Sequence, residues 1–508
     1  MNNNLYALLK ESFTPMQDRV FLQLAHGQTW TYREMDRLCA RFARAFLDKG
    51  VSRGDRIVVQ VEKSAAAIAV YLAGLRIGAV YIPLNPAYTL PEVEYFLTDA
   101  NPAVFICTPE RYREFQPLVR KAGIRHHHPL GISGAGGFWD RVKDLNGYEE
   151  IAVMAETDCA AMLYTSGTTG RPKGAMLSHG NLSSNALTLH DYWGFHSADV
   201  LLHALPVFHV HGLFVALHCA MLSACRVLFL PSFDVDRVLE CLPRATVMMG
   251  VPTYYSRLLA HQEFDPAVCR NNRLFISGSA PLSPQTFTEF EQRTGLKILE
   301  RYGMTETGMI ASNPLQGERI AGTVGFPLPG IEVRICDEAG KPLPDGEIGN
   351  VEVRGPNVFS GYWKRPELAG EVFREDGFFI TGDLGHLDNG RLTLAGRGKD
   401  LIISGGLNVY SREIETCLDE LPGIRESAVI GVPHPDYGEA VVAVVVAQTG
   451  AALTEDQIKD GIRPGLAGFK QPKRVFIVDE LPRNAMGKVE KNILREQYQS
   501  EFLKDRGR

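Results

Sequence analysis

Apolar residues recur at helical spacing after Thr31, with Met35, Leu38, Cys39, Phe42, Phe46 and Leu47 on one face. Thr31 and Glu34 make a capping box and Gly50 supplies a stop, so the segment predicts an amphipathic helix. Residues 57–61 then form a short apolar run suited to a buried strand, 64–77 a helix, and 80–84 a second strand. A helix capped by Thr89 and Glu92 and a strand over 103–107 extend the alternation. Strands that alternate with helices predict a largely parallel sheet covered on its faces. The alternation continues to about residue 330, after which 330–396 is dense in turns and short β-like runs, as expected of a small antiparallel unit. Short strands at 401–404, 427–432, 441–446 and 475–478, with two helices, give the last 110 or so residues a compact α+β pattern.

The fold expected is therefore α/β. A large N-terminal domain spans 1–396, with its β-rich subdomain at about 330–396, and a small mobile α+β domain spans 397–508. A length of 508 residues accommodates this, at roughly 100 to 200 residues per domain. The formal net charge of −6 removes the usual electrostatic case for nucleic-acid binding. Nine cysteines occur without a C-x-x-C pair, which argues against a zinc cage or disulfide framework and points to reduced thiols in a cytosol-like, cytoplasmic compartment. The N-terminus lacks a basic region followed by an unbroken apolar one, and the most apolar stretch, 65–84, is interrupted by Arg76 and Gly78. Neither a secretory signal nor a membrane anchor is expected. His126, His127 and His128 read as a solvated turn rather than a metal site.

Chemistry concentrates in one segment. Thr165, Ser166, Gly167, Thr168, Thr169, Gly170 and Lys173 follow the apolar run 160–163. Glycines let backbone N–H groups converge on anionic oxygens, hydroxyls add donors and the lysine adds charge, which suits a polyphosphate. The spacing is not that of the G-x-x-x-x-G-K-[ST] loop, because Gly174 follows Lys173. A flexible surface loop is the competing reading of this segment alone.

The segment resembles the phosphate loop of the acyl-adenylate-forming superfamily. Further matches follow in that family's order at 301–307, 322–325, 381–384, 396–400 and 484–488. The resemblance implies ATP, Mg²⁺ and coenzyme A as reactants or cofactors, and a carboxylic acid coupled first to AMP and then to a thiol. It places Thr165 to Lys173 around the phosphates and puts Mg²⁺ on Glu306 and Thr165. It gives the ribose to Asp383 and Arg397. Gly278, Ser279 and Ala280 would flank the adenine together with Glu300, Arg301 and Tyr302, and Gly303, Met304 and Thr305 would also belong to the ATP/AMP site. Lys488 would reach the α-phosphate and acyl oxygens during adenylation, and Lys399 would be the hinge about which the small lobe turns. Ser404, Gly405 and Gly406 would then face the pantetheine of coenzyme A. Ser411 departs from the family, many of whose members have proline there, and is expected to loosen the start of its helix.

Segments 206–212 and 250–257, with 277–281, resemble those of malonyl-CoA synthetases. Spacing alone reads Arg257 as a solvated or snorkelling side chain. The resemblance makes it the grip on the second carboxylate of a dicarboxylic acid, since a guanidinium can hold a carboxylate through two parallel hydrogen bonds. His209 and Ser279 would complete that pocket. The expected substrate is malonate, with methylmalonate an additional candidate because one methyl group discriminates weakly. The alternatives are a synthetase for short-chain or aromatic monocarboxylates, a carrier-protein-loading enzyme, and a non-catalytic nucleotide-binding regulatory protein.

Overall fold

The computed structural model describes residues 2–132, 137–165, 172–404, 407–434, 437–466, 468–484 and 487–502. The expected capping box is formed. Thr31 Oγ1 accepts from the Glu34 N–H at 3.1 Å and Glu34 Oε2 accepts from the Thr31 N–H at 2.7 Å, opening the helix Tyr32–Leu47. The helix Ala65–Ile77 has no polar face and every residue in it is buried, so its sequence demands neighbours on all sides. Its one charged residue, Arg76, is neutralised by Asp36 and the Tyr148 carbonyl, with its guanidinium 4.9 Å above the Tyr6 ring.

Two large sheets enclose this region. In the first, strands run in the order His126–Pro129, Val104–Cys107, Arg56–Gln60, Val80–Pro83, Cys159–Thr165 and Lys173–Ser178. All its pairs are parallel except the last, whose hairpin returns the chain from the phosphate segment. The second sheet has a parallel centre that includes Leu299–Met304, Leu274–Ser277, Val247–Gly250 and Val200–His203. Loops that leave the carboxyl ends of such strands are where α/β sheets bind ligands. Here those loops carry segments 204–212, 251–257, 278–282 and 305–307.

An antiparallel sheet follows, of Glu332–Cys336, Gly349–Arg354, Phe379–Asp388 and Arg391–Arg397. Its buried carboxylate Glu352 is fully shielded and is held by Arg334 at 2.8 Å and Arg374 at 2.7 Å. The last sheet pairs Leu407–Tyr410, Leu401–Ser404, Gly438–Ala447, Ile424–His434 and Arg474–Val478, with three helices where the sequence suggested two. No described helix is long and apolar enough to cross a membrane.

Two sequence expectations are corrected. His126–Pro129 is a strand, not a solvated turn: His127 stacks on Phe105 and Tyr112, and the buried His128 stacks on Phe138 at 4.5 Å. Aromatic packing, which imidazole satisfies as well as any ring, recruits His127 and His128, while His126 Nε2 lies 2.9 Å from the Lys49 carbonyl. Ser411 does not leave its helix loose. It is buried, and its hydroxyl accepts from Lys491 Nζ at 2.9 Å while that ammonium pairs with Glu415 at 2.6 Å.

Candidate active site

The strand Leu299–Met304 delivers most of the site. Tyr302 donates to Asp383 Oδ2 at 2.5 Å, and Arg397 Nε contacts Asp383 Oδ1 at 2.7 Å. Asp383 is 4% exposed, so the Arg397 ion pair and the tyrosine hydroxyl fix both its oxygens. The neighbouring carboxylate raises the Arg397 pKa, and burial followed by Asp383 raises that of Tyr302. Asp383, Tyr302 and Arg397 thus form one unit.

Beyond the strand, the buried Glu306 accepts from Thr165 Oγ1 at 3.1 Å and from the Tyr362 hydroxyl at 2.9 Å, both at Oε1. Thr165 and Lys173 are cross-strand partners at the mouth of the hairpin. Thr165, Glu306 and Lys173 are therefore brought together. Ser166, Gly167, Thr168, Thr169 and Gly170 lie outside the described residues. Gly303 packs so closely on the Gly308 carbonyl and Met309 that any side chain would overlap them. Met304 and Thr305 follow it, half-buried.

Gly278, Ser279 and Ala280 leave the carboxyl end of Leu274–Ser277 beside Glu300 and Arg301. Glu300 Oε1 accepts from the Leu282 N–H at 2.9 Å, while Oε2 is buried without a partner among the described residues. Burial pushes its carboxyl up to about 7. Arg301, expected beside the adenine, is set apart by its surroundings. It is 3% exposed, and its Nε and Nη2, one edge of the guanidinium fork, have no hydrogen-bond partner among the described residues. A β-carbon at Gly278 would overlap that guanidinium, so glycine there makes room for it. Burial pulls the Arg301 pKa down to about 9, opposed only weakly by Tyr255.

Around Arg301 stand His209, His211 and Ser279. The His211 N–H donates to His209 Nδ1 at 3.3 Å, and Ser279 Oγ lies 3.2 Å from His211 Nδ1. Ser279 adopts φ +71°, a left-handed conformation that a serine holds only when its surroundings enforce it. Burial first, then the charges of Lys488 and Arg301, hold His209 down at about 3. His211 is likewise pushed well below its ordinary value, by burial and then by Arg301. Both imidazoles are neutral, so the cluster's positive charge belongs to Arg301 and Lys488.

Arg257 is not part of this cluster. On the helix Pro252–Leu259 the inward positions are taken by Tyr255, Leu258 and Leu259, and the Arg257 side chain is exposed. The solvated reading from spacing describes its place. His211 and Tyr362 were missed by sequence reasoning. His211 lay within the segment 206–212 already singled out, whereas nothing local marks Tyr362, whose partner Glu306 is 56 residues away.

Lys488 arrives from the C-terminal sheet on a tight loop. Arg483 Nη1 holds the Gly487 carbonyl at 2.6 Å, Asn484 Oδ1 accepts the Lys488 N–H at 3.1 Å, and Gly487 takes φ +74° beside Thr253. Burial, then Arg397, lowers the Lys488 pKa to about 8, with Asp383 and Glu306 opposing. Lys399 is exposed on the single turn Gly398–Asp400 that joins the third and fourth sheets. Ser404 is buried at the end of its strand, away from the cluster in sequence and sheet, and Gly405 and Gly406 lie outside the described residues.

Comparison with known proteins now bears on these residues. The AMP-binding enzyme family matches residues 9–363, and the AMP-binding enzyme C-terminal domain matches 413–488. The structure of ATP-bound MatB from Rhodopseudomonas palustris is 49% identical, covers 99% of this chain and 100% of that one, and superposes with a TM-score of 0.96. Apo MatB, at the same identity and coverage, superposes at 0.86, so the arrangement seen here is nearer the ATP-bound one. A malonate–CoA ligase of Arabidopsis thaliana is 33% identical over 98% of this chain and 90% of its own. A feruloyl-CoA synthase from Amycolatopsis is 36% identical over 93% and 95%.

Proposed function

This chain belongs to the AMP-binding enzyme family, and we propose that it ligates malonate to coenzyme A, with ATP converted to AMP and pyrophosphate by way of malonyl-AMP. One observation carries the choice of acid: a buried guanidinium with an open fork, beside neutral histidines and a strained serine. An unpaired buried cation is costly unless an anion completes it. A dicarboxylic acid supplies one carboxylate to Arg301 and leaves the other to react.

In the first step a malonate oxygen attacks the α-phosphorus of ATP and pyrophosphate leaves. Lys488 offsets the repulsion between the two anions. Asp383 accepts the ribose hydroxyls, with Arg397 and Tyr302 holding its carboxylate in place. Thr165 and Lys173 lie at the phosphates, while Gly278, Ala280 and Glu300 border the base. Glu306 and Thr165 present hard oxygens at one point, a set that fits Mg²⁺ completed by phosphate and water. Bound there, Mg²⁺ would neutralise phosphate charge. In the second step the thiol of coenzyme A attacks the acyl carbon and AMP leaves. We assign Ser404, Gly405 and Gly406 to that step, after residues 397–508 rotate as a mobile lobe about Lys399. The similarity of residues 413–488 to a separate C-terminal domain supports this division. Nine free cysteines support a cytoplasmic, reducing compartment.

The identity to a feruloyl-CoA synthase favours a second reading, an aromatic acid. Coenzyme A-dependent AMP release from malonate, methylmalonate, butyrate, benzoate and ferulate separates the two. Malonate should give the highest kcat/KM. A higher value for butyrate or ferulate would overturn the assignment.

A further inference from the structure

Glu306 carries a load that its own strand does not explain. It lies just past Leu299–Met304, yet its Oε1 is held by two hydroxyls from elsewhere: Thr165 at the end of one strand of the first sheet, and Tyr362 from the connection between the second and third strands of the antiparallel sheet. The Tyr362 segment is itself fastened. Tyr362 bridges to Ala175, the Trp363 N–H donates to the Gly174 carbonyl at 2.8 Å, and the Phe359 N–H donates to the Glu306 carbonyl at 2.8 Å. The Phe359 ring meets the Tyr362 ring edge-on at 4.9 Å. Lys173 Nζ sits 5.5 Å from the centre of the Tyr362 ring. One tyrosine therefore touches the carboxylate, the return strand of the phosphate hairpin and the lysine on that strand.

We propose that Tyr362 is a positioning residue for the metal carboxylate, holding Oε1 of Glu306 so that the carboxylate is already ordered when a divalent ion binds. The inference rests on the assignment of Glu306 and Thr165 to Mg²⁺. A carboxylate on a freely turning side chain must be ordered each time a metal binds, and a hydroxyl donor on one oxygen removes that freedom in advance. Outer partners of this kind are worth about 10- to 100-fold in metal affinity. Tyr362 has no direct role in the chemistry under this scheme, because its hydroxyl proton is already committed to Glu306.

The test uses the full chain carrying Tyr362→Phe, which keeps the ring and its packing on Phe359, alongside Glu306→Gln and the unaltered protein. Mn²⁺ binding is followed by the electron paramagnetic resonance signal of the free ion in the presence of a non-hydrolysable ATP analogue. The Mg²⁺ dependence of malonate-dependent pyrophosphate exchange is measured in parallel. Expected for Tyr362→Phe is about 10-fold or more weaker Mn²⁺ binding, an equal rise in the half-saturating Mg²⁺ concentration, and recovery of the exchange rate at saturating Mg²⁺. Thermal melting confirms that the variant is folded, and Tyr362→Leu serves as a second probe of hydroxyl loss. Unchanged Mn²⁺ affinity in Tyr362→Phe, with loss in Glu306→Gln, overturns the role given to Tyr362 alone. Unchanged affinity in both overturns the metal assignment beneath it.

Discussion

Replacing Arg301 by methionine separates binding of the second carboxylate from everything else the site does. Methionine is unbranched and adaptable enough to occupy the channel that Gly278 leaves open, and it removes the charge. Arg301 is 3% exposed, so a carboxylate docked on it forms a buried pair. Losing one partner of such a pair costs about 3 to 5 kcal/mol, or about two to three and a half decades in kcat/KM at 1.4 kcal/mol per decade. Butyrate has no second carboxylate and should lose little. The ratio of kcat/KM for malonate over butyrate should therefore fall by at least about 100-fold.

Stability should move the other way. Without substrate Arg301 has no anionic partner among the described residues, so removing its charge relieves a desolvation cost and should raise the melting temperature. The assay is AMP release with each acid, at pH 7 and saturating ATP and coenzyme A, with thermal melting of the same samples. Arg257→Ala is the internal control. Its exposed side chain should alter the malonate-to-butyrate ratio by no more than about fivefold, the upper range for a surface ion pair. Equal loss on both acids in Arg301→Met, or a larger malonate-specific loss in Arg257→Ala, would refute the reasoning.

The remaining expectations concern Lys488 and the antiparallel sheet. Because the Lys488 pKa is depressed to about 8, its ammonium is present below that pH and lost above it. The kcat/KM of malonate-dependent pyrophosphate exchange should accordingly decline as pH rises through about 8, and a pH profile of Lys488→Arg should lack this limb. Lys488→Ala should abolish malonyl-AMP formation yet leave thioester formation from supplied malonyl-AMP largely intact; collapse of both half-reactions in separate assays would contradict a one-step role. Glu352→Ala strands Arg334 and Arg374 beside an emptied buried site, which costs about 3 to 5 kcal/mol and should appear as a clear drop in melting temperature.

Much of the scaffold was legible because it is written locally. The capping box at Thr31 and Glu34, the apolar run that becomes Ala65–Ile77 and the strand Leu401–Ser404 all follow from patterns a few residues long. The motif residues Asp383, Arg397, Tyr302, Glu306 and Thr165 were legible as a set, and their pairing needed only the sheets to bring them together. The two arginines were not separable in this way. Arg301 owes its room to Gly278, just past the neighbouring strand, a contact between residues 23 apart, while Arg257 is exposed on a helix whose buried positions are held by Tyr255, Leu258 and Leu259. A guanidinium looks the same in either setting until the packing is known. The histidine run failed for a related reason: polarity suggested solvent, but Phe105, Tyr112 and Phe138 supplied ring surfaces from distant segments.

The charge arrangement itself argues for a dianionic acid. Arg301 belongs to the body and Lys488 to the C-terminal region, and Arg301 disfavours the charged form of Lys488. Neither histidine can share the burden, since both are neutral, and the nearest carboxylates, Asp383 and Glu306, are engaged by Arg397 and by the hydroxyls of Thr165 and Tyr362. Without substrate the approach of Lys488 is therefore opposed by Arg301. An acid with one carboxylate can answer only one of these cations. Malonate, with carboxylates separated by a single carbon, can neutralise the fixed cation with one end while offering the other to the arriving one. The same molecule then completes the buried charge and draws the lysine in, so selection of the acid and assembly of the adenylation site become one electrostatic event.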